Sequence, residues 1–346
     1  MSTLTLSSDL MKSFKPCKAF TGYCQEDKDI TALSFDDTGS TCVTASSDDT
    51  IHLFDTKLGK HQKYFRSGKY GVDLPCFTHS SSTIMYASTK QDNSIKYHSL
   101  HDNSYLQYYR GHQGKVNSLE MSPTDDMFLS ASSDDTVRLW DLRTPQCQGL
   151  LHIKGNSIAA WDPSGLCFAV SLYSESMILL YDKGRYDQAP FATFALRDRD
   201  HRGRDIRPHP TCIKFSSNGN YILVGTNSPY HYILDSFSGQ IYYRLTGHET
   251  FTSVNIQRDM LSWSPDGKFV VGGSKNGKIH VWEVPPTEPR DAAIKTLSPI
   301  HTTDNHKNTP SKIVAFNPRV VMLATAASSE LAFWLPMQDS RRSSHN

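Results

Sequence analysis

Short runs of alternating apolar and polar residues, separated by turn residues, fill most of the chain. The run TVRLW at 136–140 alternates with the period of two that is typical of a β-strand with one buried face. Turns rich in Asp, Asn, Pro and Gly lie between such runs, as in LSFDDTGS at 33–40 and LSWSPDGK at 261–268. No long segment keeps a helical period, so the pattern predicts an all-β protein.

One unit of this pattern recurs along the chain. SASSDDTVRLWDL at 130–142 is echoed by ASSDDTIHLFD at 45–55 and by SKNGKIHVWE at 274–283. The residues that end the corresponding strands are Phe54, Tyr97, Trp140, Tyr181, Leu234, Trp282 and Trp334. A period near 40–45 residues with a Trp-Asp ending is typical of WD-type propeller blades. We therefore expect one seven-bladed WD-repeat β-propeller over 11–336, although a chain of 346 residues would by length alone suggest two domains.

The two ends of the repeat region predict how the ring closes. The last unit, 311–336, supplies only three strands, whereas MKSFKPCKAF at 11–20 is a strand-like run upstream of the first full unit. Because an open sheet edge invites aggregation, we expect 11–20 to be the outer strand of the last blade. This leaves 1–10 as a flexible N-terminus and the polar residues 337–346 as a disordered tail.

Polar residues inside the units are predicted to fix blades rather than to react. A His–Asp–Ser–Trp hydrogen-bond relay would satisfy these buried groups and hold the entering loop to the sheet. The third unit has the complete set, His112, Ser132, Asp134 and Trp140. The sixth unit keeps His248, Ser274 and Trp282 but has Asn276 in place of the aspartate.

Catalytic, cofactor and metal motifs are incomplete. GGSKNGKI at 272–279 approaches a phosphate-binding loop, but Ile279 stands where Ser or Thr should bind magnesium, and the context is strand–turn–strand. His301, Asp304 and His306 lack a fourth ligand for structural zinc. His112, Asp134 and Ser132 resemble a catalytic triad, but the serine is expected to be buried beside Trp140. We therefore predict a non-enzyme without a cofactor or a metal site.

Composition indicates in which compartment the protein works but does not identify its binding partner. Lys plus Arg is 36 and Asp plus Glu is 35, so the net charge of +1 does not call for nucleic acid or an anionic membrane. No apolar run reaches the roughly 18 residues of a membrane span, and the first residues lack a secretory-signal pattern. The seven cysteines are scattered without a CxxC pair, which favours reduced thiols inside a cell.

Loops between blades are the candidate binding elements, because loops carry function on a rigid scaffold. Extra residues are expected between successive blades at 197–210, 246–259 and 301–312. The first stretch has five Arg against three Asp and reads either as a self-paired loop or as a site where Arg202, Arg204 and Arg207 hold a phosphorylated or acidic peptide. KYGVDL at 69–74 supplies the further candidates Lys69, Tyr70 and Asp73, with a plain turn at Gly71 as the alternative.

Several longer stretches resemble one particular WD-repeat family. SGKYGVDL at 67–74, SLHDNSYLQYYRGH at 99–112, LWDLRTPQCQGLLH at 139–152, PFATF at 190–194 and LAFWLP at 331–336 are similar to a WD-repeat subunit of eukaryotic nuclei. That subunit is shared by the COMPASS-type (SET-domain) histone lysine methyltransferase complex and by the mRNA cleavage and polyadenylation factor with its type 1 phosphatase. The likeness covers about residues 13–336, but the loops at 197–210 and 301–312 depart from it.

The resemblance implies a non-catalytic nuclear scaffold. It would link histone lysine methylation with mRNA 3′-end processing and transcription termination, through protein contacts that include RNA polymerase II with a phosphorylated C-terminal domain. Direct sequence-specific binding of nucleic acid and membrane association are not expected. The resemblance leaves open whether the protein belongs to one of these two complexes or to both. It also leaves open whether binding requires phosphate. The alternative from a different class is a substrate-receptor propeller of a cullin-type ubiquitin ligase.

Overall fold

The computed structural model describes residues 6–25, 27–199, 202–251, 260–286, 289, 293–304 and 309–337. It is built almost entirely from strands, with one α-helix, α1 (Ser8–Lys12), and a single 3-10 turn (Lys183–Arg185). None of the helices in these described ranges has the length and apolar character that a bilayer crossing requires. The seven-bladed β-propeller predicted from the repeat is confirmed.

After α1 the chain forms one outer strand and then the first three blades in order. These strands are β1 (Phe14–Phe20); blade 1 with β2 (Ile30–Phe35), β3 (Thr41–Ser46), β4 (Thr50–Asp55) and β5 (Lys60–Arg66); blade 2 with β6 (Asp73–Phe77), β7 (Thr83–Ala87), β8 (Ile95–Ser99) and β9 (Ser104–Tyr109); and blade 3 with β10 (Val116–Met121), β11 (Met127–Ser132), β12 (Thr136–Asp141) and β13 (Thr144–His152).

The remaining strands form blades 4–7 and two additions. They are blade 4 with β14 (Ser157–Trp161), β15 (Cys167–Leu172), β16 (Met177–Asp182) and β17 (Ala192–Ala195); a small hairpin of β18 (Asp198–Arg199) and β19 (Asp205–Ile206); blade 5 with β20 (Pro210–Phe215), β21 (Tyr221–Thr226), β22 (His231–Asp235) and β23 (Ile241–Leu245); blade 6 with β24 (Leu261–Trp263), β25 (Phe269–Gly273), β26 (Lys278–Glu283) and, after the added strand β27 (Lys295–Leu297), β28 (His301–Asp304); and blade 7 with β29 (Ser311–Phe316), β30 (Leu323–Ala327) and β31 (Glu330–Pro336).

Apolar contact between neighbouring blades holds the ring together. Each blade is a twisted antiparallel sheet whose two faces are both covered, so successive strands bury side chains on either side. The buried apolar residues fall into clusters that each bridge two adjacent blades around the ring. The cluster between blades 7 and 1, for example, joins Phe20 and Phe333 to Phe54, with ring centroids 5.1 and 4.7 Å from Phe20.

The N-terminal strand closes the ring. β1 pairs antiparallel with β31, from Phe14 opposite Pro336 to Phe20 opposite Leu331. Pro16 is tolerated because β1 is the outermost strand of blade 7, where a missing N–H costs no ladder bond. Residues 6–10 differ from the flexible segment predicted for 1–10. Ser7 caps α1 by accepting from the Leu10 N–H at 3.3 Å, and buried Met11 packs against blades 6 and 7.

One inter-blade stretch, 301–312, differs from the predicted loop. Residues 301–304 are not loop but form β28, the outer strand of blade 6, paired with β26. The chain between β26 and β28 first detours to blade 5, where β27 pairs parallel with β23 and adds a fifth strand. Most of the stretch predicted at 246–259, and the tail from 338 onward, lie outside the described residues.

Candidate partner-binding surface

The hydrogen-bond relay of blade 3 is present, but its serine is Ser130 rather than the predicted Ser132. His112 joins Asp134 through Nδ1 at 3.0 Å and Ser130 Oγ through Nε2 at 2.7 Å. The indole Nε1–H of Trp140 donates to the same Ser130 Oγ at 2.8 Å. Ser132 lies two residues further along β11, where its hydroxyl donates to the Gly114 carbonyl oxygen at 3.0 Å.

Strand register explains the exchange of serines. Trp140 lies opposite Phe128, and the side chain two residues beyond Phe128 on the same face is that of Ser130. Blade 7 repeats this geometry, because Trp334 lies opposite Leu323 and its Nε1–H donates to Thr325 Oγ1 at 2.8 Å. In both blades, therefore, the hydroxyl that accepts from the tryptophan lies two residues after the residue that pairs with this tryptophan across the strands.

Blade 6 lacks the relay that His248, Ser274 and Trp282 predicted. The residue at the relay position is Gly272, which offers no hydroxyl. The Trp282 indole N–H donates instead to the Thr246 carbonyl oxygen at 2.9 Å, and Ser274 Oγ accepts from the Glu249 N–H at 2.8 Å. His248 has no hydrogen-bond partner for either ring nitrogen among the described residues and stacks on His231, with ring centroids 3.7 Å apart.

Tyr70 lies at the centre of a cluster of aromatic and cationic side chains between blades 1 and 2. Its ring contacts Tyr105 and Tyr108 edge-on, with centroids 5.7 and 6.2 Å away. Lys96 Nζ lies 3.7 Å from the Tyr70 centroid and 4.7 Å from that of Tyr108, although the Lys96 side chain is fully buried. We call the set Lys69, Tyr70, Lys96, Tyr105, Tyr108 and Arg110 the Tyr70 surface.

The backbone fixes the position of Tyr70. Its carbonyl oxygen accepts from Ser88 Oγ at 2.8 Å and from the N–H groups of Thr89 and Lys90 at 2.9 Å each. Gly71 follows with φ of +72°, and a Cβ there would lie 2.0 Å from Thr89 Oγ1. Only glycine combines a positive φ with the absence of a Cβ, so the turn at Gly71 helps to fix the position of Tyr70.

Charges around the Tyr70 surface are arranged as a buried ion pair and an exposed cationic rim. Lys96 Nζ lies 3.1 Å from Asp92 Oδ2 and 2.6 Å from Ser94 Oγ. Burial lowers the pKa of Lys96, and Asp92 opposes that shift. Burial alone would raise the pKa of Asp92, but the hydrogen bonds from Lys96 and Ser94 outweigh it and lower that pKa.

The rim itself consists of exposed cations. Arg110 lies over the Tyr108 ring at 5.5 Å, and Lys69 Nζ lies 5.1 Å from the Tyr70 ring centroid. A hydrogen bond from Lys69 is the main cause that lowers the pKa of Tyr70. Asp73 is buried and 3.4 Å from Lys115 Nζ, so it holds the loop rather than meeting a partner. Of the three predicted residues in this loop, Lys69 and Tyr70 are thus accessible to a partner.

The predicted arginines lie elsewhere on the ring, between blades 4 and 5. Arg202 and Arg204 are at the turn of the β18–β19 hairpin, and Arg207 follows it; all three are exposed. Within this segment Arg199 Nε pairs with Asp205 at 3.0 Å, and Arg202 and Arg204 also have partners. The arrangement favours the self-paired alternative, and the structure does not bring these arginines together with Tyr70.

The central channel has no group of His, Cys, Asp and Glu side chains that could hold a metal ion in the part of the chain that the structure describes. It has a volume of about 560 Å³ and is lined by the inner strands of the blades, with Glu120 and Lys214 among its charged residues. Both of these residues have partners. His301 and Asp304, two of the three residues weighed as zinc ligands, lie on β28, and His306 is outside the described residues.

A closed ring of seven blades, with a His–Asp–Ser–Trp relay in blade 3, defines a WD-repeat β-propeller. The model of the WD domain, G-beta repeat, matches residues 14–55, 103–141 and 239–283. The chain is 40% identical to WD repeat-containing protein 82 of Drosophila melanogaster, over 97% of this chain and 98% of the relative.

Two fungal relatives are similar over nearly the same length. The Set1 complex component swd2 of Schizosaccharomyces pombe is 36% identical, covering 96% of this chain and 100% of the relative. The COMPASS component SWD2 of Saccharomyces cerevisiae is 33% identical, covering 94% and 97%. The chain therefore belongs to the WD-repeat family that contains these three proteins.

Proposed function

We propose that this chain is a non-catalytic scaffold subunit of a Set1/COMPASS-type histone lysine methyltransferase complex in the nucleus. The observation that carries the proposal is that similarity to two proteins named as Set1-complex or COMPASS components extends over 94% or more of the chain.

The Tyr70 surface is the part of the ring that we assign to partner binding. Tyrosine and arginine are enriched where proteins bind one another, because they combine large contact area with hydrogen bonding. Lys69 and Arg110 stand exposed beside rings that are already held in place by Lys96 and the Tyr70 backbone. A phosphorylated or acidic segment fits this surface, because its charge meets the cations and its apolar parts meet the tyrosines.

The finer role follows from the same surface and from the family resemblance. RNA polymerase II with a phosphorylated C-terminal domain is the acidic partner that we propose, which would bring the methyltransferase to transcribed genes. Membership in the cleavage and polyadenylation factor with its type 1 phosphatase is the second setting, in which the ring would support 3′-end formation and termination.

Affinity purification of the tagged full-length chain from nuclear extract, with quantitative mass spectrometry, tests the proposal. We expect a SET-domain methyltransferase and its other subunits among the enriched proteins. Recovery of cullin components without a methyltransferase would contradict the scaffold role and favour a ubiquitin-ligase receptor. Cleavage factors and phosphatase would support the second setting.

Two charge-reversal variants place the binding surface. Lys69→Glu combined with Arg110→Glu should deplete the partner that docks at the Tyr70 surface, because both exposed cations of that surface are reversed. The matched control is Arg202→Glu combined with Arg204→Glu, because these residues lie on the self-paired hairpin between blades 4 and 5. Equal recovery of every partner by the two variants would contradict the assignment of the Tyr70 surface.

A further inference from the structure

The junction where the ring closes carries a second surface that the scaffold role does not use. A groove of about 400 Å³ runs between the outer strands β1 and β5, lined by Lys18, Ala19, Phe20, Thr21, Tyr23, Gly59, Lys60 and His61. It lies between blades 7 and 1, directly over the aromatic contacts of Phe20 with Phe54. Its walls therefore combine the closing strand with the outer hairpin of the first blade.

Flat rings form a row that starts at this groove, where Tyr23 and His61 line it, and continues beyond the lining residues to His52 and Tyr64. Tyr23 stacks on His61, with centroids 4.4 Å apart and planes at 26°. His61 Nε2 lies 3.0 Å from His52 Nδ1, and Tyr64 stacks on His52 with ring centroids 5.9 Å apart. Tyr64 is 65% exposed and Tyr23 is 38% exposed, so both ends of the row are open to a ligand. Burial lowers the pKa of both imidazoles, that of His52 to about 4, and so disfavours a positive charge on these two rings.

Lys18 and Lys60 line the groove, and three further lysines lie on the same two segments of the chain. Lys15 and Lys18 lie on β1, and Lys57, Lys60 and Lys63 recur at every third residue along the hairpin that joins β4 to β5. All five are exposed, and none is within ion-pair distance of a carboxylate among the described residues. Asp55, on the same hairpin, accepts hydrogen bonds from the Leu58 N–H and from Gln62.

We propose that this closure groove binds single-stranded RNA without sequence preference. Proteins that bind single strands combine a cationic groove, which follows the backbone, with aromatic side chains on which bases stack. Lys18 and Lys60 at the rim would take the phosphates, and the exposed rings of Tyr64 and Tyr23 would take the bases. An acidic peptide would use the lysines alone and leave the row of rings without a role. The groove is separate from the Tyr70 surface, so the inference goes beyond the proposed scaffold function.

Fluorescence anisotropy with a 5′-labelled 20-nucleotide single-stranded RNA and the full chain is the test. We expect a Kd in the range of about 1–100 µM at physiological salt and a steep loss of affinity as salt rises. The double variant Lys18→Glu, Lys60→Glu should bind at least tenfold more weakly, and its salt slope should fall by about 0.7 per lost phosphate contact. Tyr64→Ala should weaken binding roughly fivefold or more by removing one stacking platform.

The control variant is Lys154→Glu combined with Lys268→Glu, which makes the same change in net charge at exposed positions away from blades 7 and 1. It should bind RNA as the wild type does. No measurable binding by the wild type at 50 mM salt would overturn the proposal, as would equal losses in the two double variants. Binding of a polyglutamate peptide as tightly as RNA, together with no effect of Tyr64→Ala, would show an acidic-peptide surface instead.

Discussion

Replacing Ser130 by alanine tests whether the relay in blade 3 stabilises the ring. Ser130 is fully buried, and its hydroxyl serves both His112 and Trp140, at 2.7 and 2.8 Å. A buried polar group that loses its partner costs about 1–3 kcal/mol. Two groups lose theirs in this variant, so we expect the free energy of unfolding to fall by about 2–5 kcal/mol. Urea denaturation followed by tryptophan fluorescence measures the change.

Ser171→Ala is the matched control for this prediction. Ser171 lies on the second strand of blade 4 and is also fully buried, but its hydroxyl has no hydrogen-bond partner among the described residues. The control makes the same chemical change at the same burial, so its free energy of unfolding should stay within about 0.5 kcal/mol of the wild type. Equal destabilisation by the two variants would refute the reasoning, because burial alone would then account for both.

Three further predictions concern the ring closure, the buried histidines and the Tyr70 turn. Phe20→Ala removes the ring that packs on Phe54 and Phe333 and should lower the free energy of unfolding by about 3–5 kcal/mol in urea titrations, whereas a near-neutral result would contradict closure by β1. Burial first, and then nearby His280, lowers the pKa of His248 from 6.5 to about 4, so the unfolded chain binds more protons between these pH values and stability is lost as pH falls through that window. His248→Phe should therefore flatten the fall in unfolding free energy from pH 6.5 to 4 by up to about 1.4 kcal/mol per unit, and an unchanged slope would rule out this source. Gly71→Ala should displace Tyr70 and reduce partner recovery in affinity purification while leaving the far-UV circular dichroism spectrum unchanged; full recovery would contradict the role of the turn.

The fold was predictable because its signal is spread over the whole chain. Seven units share one alternation and one turn chemistry, so an error in a single unit does not change the architecture. Blade 2 illustrates such an error. The residue that aligns with Trp140 in the strand pairing is His98, opposite Ile84, and not Tyr97. The spacing between units is too variable to distinguish Tyr97 from His98. An error of one residue, however, places the chosen side chain on the other face of the strand.

Side-chain partners were less predictable, because they depend on the register between strands. Ser130 and Ser132 point to the same face and both follow the sequence pattern, so only the pairing of Phe128 with Trp140 decides which serine the indole reaches. The detour of β27 to blade 5 depends on a parallel pairing between distant segments, and such pairings have no local signal.

The Tyr70 surface was found in part. Lys69 and Tyr70 were visible as a distinctive loop, but Lys96, Tyr105 and Tyr108 come from another strand pair of blade 2. The signal that could have added them is the aromatic run SYLQYYR at 104–110, whose Tyr108 pairs with Lys96 across β9 and β8. The closure groove is a similar case. The spacing of Lys57, Lys60 and Lys63 is visible in the sequence, whereas the approach of β1 to this hairpin depends on the pairing of β1 with β31.

Purification of the complex through its SET-domain subunit, followed by native mass spectrometry, tests the central claim most directly. The account predicts that one copy of this chain is present per methyltransferase, and that the isolated chain transfers no methyl group to a histone H3 peptide. A methyltransferase complex that assembles without this chain would contradict the scaffold role, and so would methyl transfer by the chain alone.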